Sequence, residues 1–186
     1  LHARMIRGSV GESVIDFVDV QAMACLPGVQ HVVHSRDFLA VVGPDEAELV
    51  KATEKARSFV RFALKKPLTM ASDTEALLLS LAGESNTVHQ QGERRDVSLL
   101  HEARYSRPYI AHASIGPSCA LAQWTHGQMK VWSHTQGVFP LRADLAKAFD
   151  LSLDAVQVIH LHGSGCYGHN GADDVAFDAA FVSFKL

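Results

Sequence analysis

The apolar positions of this chain follow a helical period in some stretches. After Asp45, a good helix N-cap, the run "EAELVKATEKARSFVRF" places its apolar residues on one face at three- and four-residue spacing. "LRADLAKAFD" repeats this pattern, and "VQAMACLPGV" predicts a short helical turn stopped by Pro27 and Gly28. "TEALLLSLAG" predicts another short helix ending at Gly83. The glycine-rich segment near the end of the chain is followed by a last helix, which we expect to be capped near Asp173.

Other stretches have the shorter period and the β-branched composition of strands. "ESVIDFVDV" and "LDAVQVIHLH" predict single strands, "QHVVHSRDFLAVVG" a hairpin broken at "SRD", and "VSLLHEARYSRPYIAHASIGP" further β structure. "SCALAQWTHGQMKVWSHTQG" predicts a second hairpin that turns at "THG", with Trp124 and Trp132 facing each other across it. Because helices and strands are interspersed, the pattern predicts a mixed α+β fold and does not suggest a simple all-parallel sheet.

The most polar stretch, "ESNTVHQQGERRD", separates the two halves of the 186-residue chain. We interpret residues 84–96 as a linker or inserted loop between a domain of residues 1–83 and a domain of residues 97–186. The chain starts and stops within apolar runs, so we expect it to be a segment of a longer protein.

Composition excludes some classes of partner. A formal charge of -3 and dispersed basic residues give no reason to expect nucleic acid. No apolar run approaches the roughly 20 residues that cross a bilayer, so we expect a soluble chain, cytoplasmic or periplasmic. The widely spaced Cys25, Cys119 and Cys166 do not resemble a disulfide framework.

The segment "HLHGSGCYGHNGADD", residues 160–174, carries the candidate chemistry. It lacks the lysine and hydroxyl of a nucleotide-binding P-loop. Its G-x-G-x-x-G match stands outside an evident dinucleotide-binding unit. A zinc site is an alternative that would use His160, His162, Cys166 and His169, although their spacing is not that of common zinc motifs. A nucleophilic Cys166 is another, opposed by two neighbouring aspartates that would raise the pKa of a thiol.

Several stretches in order resemble the xanthine dehydrogenase and aldehyde oxidase family. "LHARMIRG", "VDVQAMACLPGVQHVV" and "DFLAVVGPDEAELVKATEKA" are similar to its α/β hammerhead domain. "PYIAHASIGPSCALAQW", "MKVWSHTQG" and "GCYGHNGADDVAFDAA" resemble the first part of its molybdopterin-binding domain, in particular that of the bacterial isoquinoline and nicotinate oxidoreductase type. The resemblance covers nearly the whole chain and implies a hammerhead domain followed by part of a cofactor domain.

The resemblance also implies a function. In that family a Gly-Gly-Phe-Gly turn lies against molybdenum held by molybdopterin, here expected in the cytosine dinucleotide form. Gly165, Cys166, Tyr167 and Gly168 stand in that turn, and His112 and Gln136 are further candidates for the wall of the cofactor site. The implied reaction hydroxylates an N-heterocycle or aldehyde with oxygen from water. Electrons would leave through an iron–sulfur subunit or domain.

Departures from the family pattern leave alternatives open. "HASIGP" has Gly116 where the family usually has an acidic residue. The family's catalytic glutamate lies in the remainder of the large subunit, so no catalytic residue is expected here and the chain alone should be inactive. A non-catalytic binding or scaffold module derived from this family is the main alternative to a hydroxylase segment, and the zinc-binding domain is the other.

Overall fold

The computed structural model describes residues 1–9, 12–67, 73–92, 101, 103–168 and 171–186. The chain divides into two compact units. The larger contains Leu1–Leu68 and His112–Leu186, and the smaller contains Thr69–Ala111. No helix in the described residues combines the length and the apolar character that a membrane crossing requires. The mixed α+β fold predicted from the sequence is confirmed.

The first part of the larger unit contains two small sheets and two helices. Its elements in chain order are β1 (His2–Met5), β2 (Glu12–Val18), α1 (Val20–Ala24), β3 (His31–Ser35), β4 (Phe38–Gly43), α2 (Glu46–Ala56) and β5 (Val60–Lys66). One sheet has the order β1-β4-β3 and the other pairs β2 with β5, all antiparallel. Helix α2 begins as predicted, because the Asp45 carboxylate accepts a hydrogen bond from the Glu48 N–H at 2.9 Å. It buries Leu49 and Ala56 in a core with Ile6, Met23, Leu39 and Val41.

The smaller unit contains the short helix α3 (Thr74–Ser80). Asp73 caps its start by accepting from the Ala76 N–H at 3.0 Å. The helix ends before the predicted stop at Gly83, because Leu81 already has an extended backbone. The predicted linker of residues 84–96 has no helix or strand from 84 to 92, and its remainder lies outside the described residues. The two domain boundaries drawn from the sequence stay predictions.

The second part of the larger unit is a three-stranded sheet covered by two helices. Its elements are β6 (Ala120–Thr125), β7 (Gln128–Ser133), α4 (Val138–Ala148), β8 (Val156–His160) and α5 (Ala172–Lys185). The sheet order is β6-β7-β8, with β6 antiparallel and β8 parallel to β7. Met129, Val131, Leu145, Val158 and Ala176 belong to the core between sheet and helices. Helix α5 also contacts the first sheet, where Val182 packs with Val33 and Val42.

Three local predictions are wrong. The tight turn at His126 and Gly127 pairs Trp124 with Met129 and Leu121 with Trp132, so the two tryptophans are not opposite each other. Trp124 instead contacts Phe184 of α5. Residues 101 and 103–119 form no strand, consistent with two prolines that cannot donate to a ladder, and the rest of the predicted stretch, residues 97–100 and 102, lies outside the described residues. Helix α5 begins after Gly171 with no side-chain cap, not with a cap near Asp173.

Candidate functional site

The candidate site forms where two parallel strands end side by side. Ser133 at the end of β7 is paired with His160 at the end of β8. Each strand is followed by a loop that leads into a helix, α4 after β7 and α5 after β8. Because β7 and β8 run in the same direction, their following loops leave the same edge of the sheet and can contact each other. In open sheets with parallel strands, ligands commonly bind at this carboxyl edge.

The loop after β7 holds the loop after β8 at successive positions. We call residues 133–136 the cradle. The Leu161 N–H donates to the Ser133 carbonyl at 2.9 Å, and His160 Nδ1 lies 2.9 Å from the Thr135 carbonyl oxygen. The Gly168 N–H donates to Gln136 Oε1 at 2.5 Å. The cradle therefore fixes the glycine-rich loop at its beginning and again eight residues later at Gly168.

Residues 165–168, which we call the glycine turn, have a backbone that few sequences can adopt. Gly165, Tyr167 and Gly168 have φ values of 100, 48 and 103°. Glycine adopts such values without steric cost, whereas a tyrosine there is uncommon. A Cβ atom built on Gly165 would lie 2.6 Å from the Tyr167 ring, so the absence of a side chain at Gly165 lets the ring fold back over the backbone.

The other candidates predicted from the sequence lie within this turn or next to it. The Cys166 side chain is buried, and its Sγ donates to the Gly168 carbonyl at 3.0 Å. His112 Nε2 lies 3.3 Å from the position that a Cβ on Gly168 would occupy. Tyr167 is 62% exposed and therefore faces solvent with much of its ring. The structure brings His112, Gln136 and the glycine turn together, whereas their roles in binding stay predictions.

The alternative zinc set is not assembled among the described residues. His160 and His162 have ring centroids 5.9 Å apart. His160 uses one ring nitrogen on the Thr135 carbonyl, and the Cys166 thiol is directed at Gly168. His169 lies outside the described residues. Within the part of the chain that the structure describes, no group of at least three His, Cys, Asp or Glu side chains could hold a metal ion.

Sequence reasoning missed most of the cradle. The sequence pattern indicates only the exposed Gln136, whereas Ser133, His134 and Thr135 are buried at this edge. The available signal was a polar run, "SHTQ", directly after an apolar strand. Its significance depends on which strand lies next to β7, and a single sequence does not give that neighbour.

Comparison with known proteins identifies the family of this chain. Residues 83–185 match the family model described as the molybdopterin cofactor-binding domain, which covers more than half of the chain. The chain therefore belongs to the family of molybdopterin cofactor-binding domains. The match includes the cradle, the glycine turn and His112.

A curated relative extends the similarity over almost the whole chain. The chain is 39% identical over 197 aligned positions to one subunit of the nicotinate dehydrogenase of Pseudomonas putida. The alignment covers 98% of this chain and 16% of the relative. The similarity thus includes the first sheets and α2, which lie before the matched family domain. The activity, substrates and partners of the whole relative do not follow from a match of this length.

Proposed function

We propose that this chain contributes the cofactor-positioning turn of a molybdenum hydroxylase large subunit. The parent protein would be an oxidoreductase of the isoquinoline and nicotinate type that hydroxylates an N-heterocycle or aldehyde with oxygen from water. Its electrons would pass to an iron–sulfur subunit or domain. The name of the Pseudomonas putida relative, a nicotinate dehydrogenase, favours the N-heterocycle among these substrates. The observation that carries the proposal is the glycine turn held by Gln136 at the carboxyl edge of β7 and β8.

The residues present fit a bulky cofactor that approaches the backbone closely. Gly168 has a positive φ value and no Cβ, so a planar group can come near the main chain beside His112, whereas the Tyr167 ring already covers the corresponding position on Gly165. Helix α5 begins after Gly171, and the attraction of its backbone dipoles for an anionic group is opposed by Asp173 and Asp174 in its first turn, so the start of α5 does not add to this fit. No protein ligand to the metal is required, because the dithiolene of a molybdopterin would hold it.

Gln136 has a second polar end that the cofactor can use. A backbone N–H can only donate, so the oxygen of the Gln136 amide must face Gly168. The NH₂ group is then the other end of the same amide and can donate to an oxygen of the cofactor. The bound cofactor would supply the redox centre, while Gln136, His112 and the glycine turn would orient it. The chain alone would be inactive because it forms only one side of the site.

A pair of Gln136 variants in the parent protein tests this assignment. Gln136→Glu keeps an oxygen for the Gly168 N–H but replaces the NH₂ donor with a carboxylate oxygen, which repels an anionic cofactor group. We expect the thermal midpoint to stay near that of the wild type and the molybdenum content to fall about tenfold, the effect of losing a hydrogen bond to a charged group. Gln136→Ala should lower both quantities. The molybdenum content of each protein is measured by mass spectrometry after desalting.

Gln123→Glu provides the matched control, because Gln123 is exposed on β6 away from the cradle. It adds the same charge and should leave the molybdenum content unchanged. Full loading of Gln136→Glu would contradict the role of this amide. A parent protein that contains no molybdenum at all would contradict the hydroxylase assignment and favour the non-catalytic scaffold derived from the same family. The cytosine dinucleotide form of the cofactor is checked by releasing and chromatographing the nucleotide.

A further inference from the structure

A cavity of about 670 Å³ lies between the first sheets and helices α4 and α5 of the larger unit. Apolar side chains form much of its wall, among them Phe38, Phe62 and Phe177, whose rings are only partly buried and remain accessible. No residue of the cradle or of the glycine turn lines it. Ligand-binding cavities commonly have volumes of about 300–1,000 Å³, so this one can accommodate a ligand apart from the cofactor site.

The charged side chains of this wall are nearly all acidic. They are five aspartates and one arginine, namely Asp37, Asp144, Asp173, Asp174, Asp178 and Arg7. Asp37, Asp144 and Asp174 are exposed residues, so their side chains are accessible to a ligand. The cavity therefore combines an apolar wall with an excess of accessible negative charge.

The arginine of the wall does not offset this charge, because it is already engaged. Arg7 Nη2 donates to both carboxylate oxygens of Asp178, at 2.7 and 2.5 Å. Asp178 is 7% exposed, and its burial raises its pKa by more than the charge and hydrogen bonds of Arg7 lower it. The charge of Asp174 raises the pKa of Asp178 further. A second cation in this cavity would therefore be stabilised by carboxylates that Arg7 leaves uncompensated.

Carboxylates beside aromatic rings suit a guanidinium group in particular. A guanidinium is planar, stacks on the faces of rings, donates in pairs to carboxylates and is more weakly hydrated than an ammonium. The aliphatic stem of an arginine can pack on the apolar part of the wall while its head stays among the carboxylates. A metal ion fits less well, because no three His, Cys, Asp or Glu side chains in the described part of the chain are placed to hold one.

We propose that this cavity is a docking site for an arginine side chain, which an apolar segment from the remainder of the parent protein supplies. The guanidinium lies among the carboxylates of Asp37, Asp144 and Asp174, and its stem contacts the rings of Phe38 and Phe177. The alignment covers 16% of the Pseudomonas putida relative, so a parent protein of similar length has ample further chain to supply this segment. The site does not require molybdenum, and it rests on the proposed function only for the source of the arginine.

Titration of the 186-residue chain with a blocked tripeptide amide, in which arginine stands between two leucines, tests the proposal. Isothermal calorimetry gives the Kd, and amide chemical shifts of the nitrogen-15-labelled chain locate the bound peptide. We expect saturable binding that weakens as salt is added, with shifts at lining residues such as Gly8 and Ser13. Asp144→Asn and Asp174→Asn should each lower the affinity about threefold, as for an accessible ion pair, and together about tenfold.

Matched peptides and a matched variant separate this docking from general attraction between charges. The peptide with lysine in place of arginine should bind more weakly, and the peptide with glutamine should show no saturable binding. Asp150→Asn removes the charge of an exposed aspartate outside the cavity and should bind the arginine peptide as the wild type does. Circular dichroism establishes that each variant is folded.

Several results would overturn the proposal. These are absence of saturable binding, equal binding of the glutamine peptide, and wild-type affinity in the double variant of Asp144→Asn and Asp174→Asn. Binding of ethylguanidine as tight as that of the arginine peptide would show a site for free organic cations and would overturn docking of a protein segment.

The parent protein tests the source of the arginine. Its own segment fills the cavity, so the full-length protein should not bind the arginine peptide, whether or not it contains molybdenum. Binding by the parent as tight as that by the 186-residue chain would overturn this source. Failure of the cofactor proposal would appear as a change in molybdenum content, and none of the peptide measurements depends on that content.

Discussion

The substitution Gly163→Ala tests how tightly the loop after β8 is packed on the cradle. A Cβ atom at residue 163 would lie 2.6 Å from His134 Cβ, 2.7 Å from Cγ and 3.0 Å from Cδ2. Carbon atoms in contact are normally separated by about 3.5–4.0 Å, so one of the two backbones must move. His134 is 5% exposed and has little space into which to withdraw. Overpacking of this kind costs about 1–3 kcal/mol.

Urea denaturation followed by circular dichroism measures this cost as a change in the free energy of unfolding. Gly116→Ala is the matched control, because a Cβ at residue 116 would meet only Ser164 Cβ at an ordinary 3.6 Å. Neither glycine has a positive φ, so the two substitutions differ mainly in packing. We expect Gly163→Ala to lower the midpoint with an unchanged m-value, and Gly116→Ala to change the free energy by less than about 0.5 kcal/mol. Equal stability of the two variants would refute the close contact between the loop and His134.

Three further predictions concern the rest of the fold. Burial raises the pKa of Asp178 above its ordinary 3.8, while Arg7 partly offsets the rise. The folded state therefore holds the Asp178 proton more tightly than the unfolded chain does. Because of this, the stabilisation from the protonated carboxyl is lost as the pH rises above 3.8. Asp178→Asn should flatten that part of a curve of unfolding free energy against pH. Asp45→Ala removes the bond to the Glu48 N–H and should cost about 1 kcal/mol in urea denaturation, whereas Asp45→Asn should cost less. Leu145→Ala leaves a cavity in the core under α4 and should lower the free energy of unfolding by about 2–5 kcal/mol. A decrease smaller than that caused by Asp45→Ala would contradict the burial of Leu145.

The parts of the fold that are determined by residues close together in the chain could be predicted from the sequence. Helix α2 begins where Asp45 can cap it, and the hairpin of β6 and β7 turns at His126 and Gly127 as expected. Both results follow from short-range chemistry, since a cap and a tight turn need only a few consecutive residues. Composition pointed only to the glycine-rich segment, and the assignment of residues 165–168 as the turn came from the resemblance to the family.

The remainder depends on contacts between residues far apart in the chain. The pairing of Leu121 with Trp132 follows from the two-residue turn, and aromatic composition alone suggested a different register. The segment of residues 103–119 contains β-type residues but has no strand, because propensity does not supply a partner for its hydrogen bonds. The contacts of the cradle with the loop after β8 arise only once β7 and β8 are paired in parallel.

The central claim is that the glycine turn of residues 165–168 positions a molybdenum cofactor. The most direct measurement is the molybdenum and pterin content of the longest natural product of the gene, by metal mass spectrometry together with intact mass, beside the same analysis of the 186-residue chain. The account predicts molybdenum and a pterin nucleotide in equal amounts in the long form and none in the short one. Stoichiometric zinc in the short chain, or a long form without molybdenum, would contradict it.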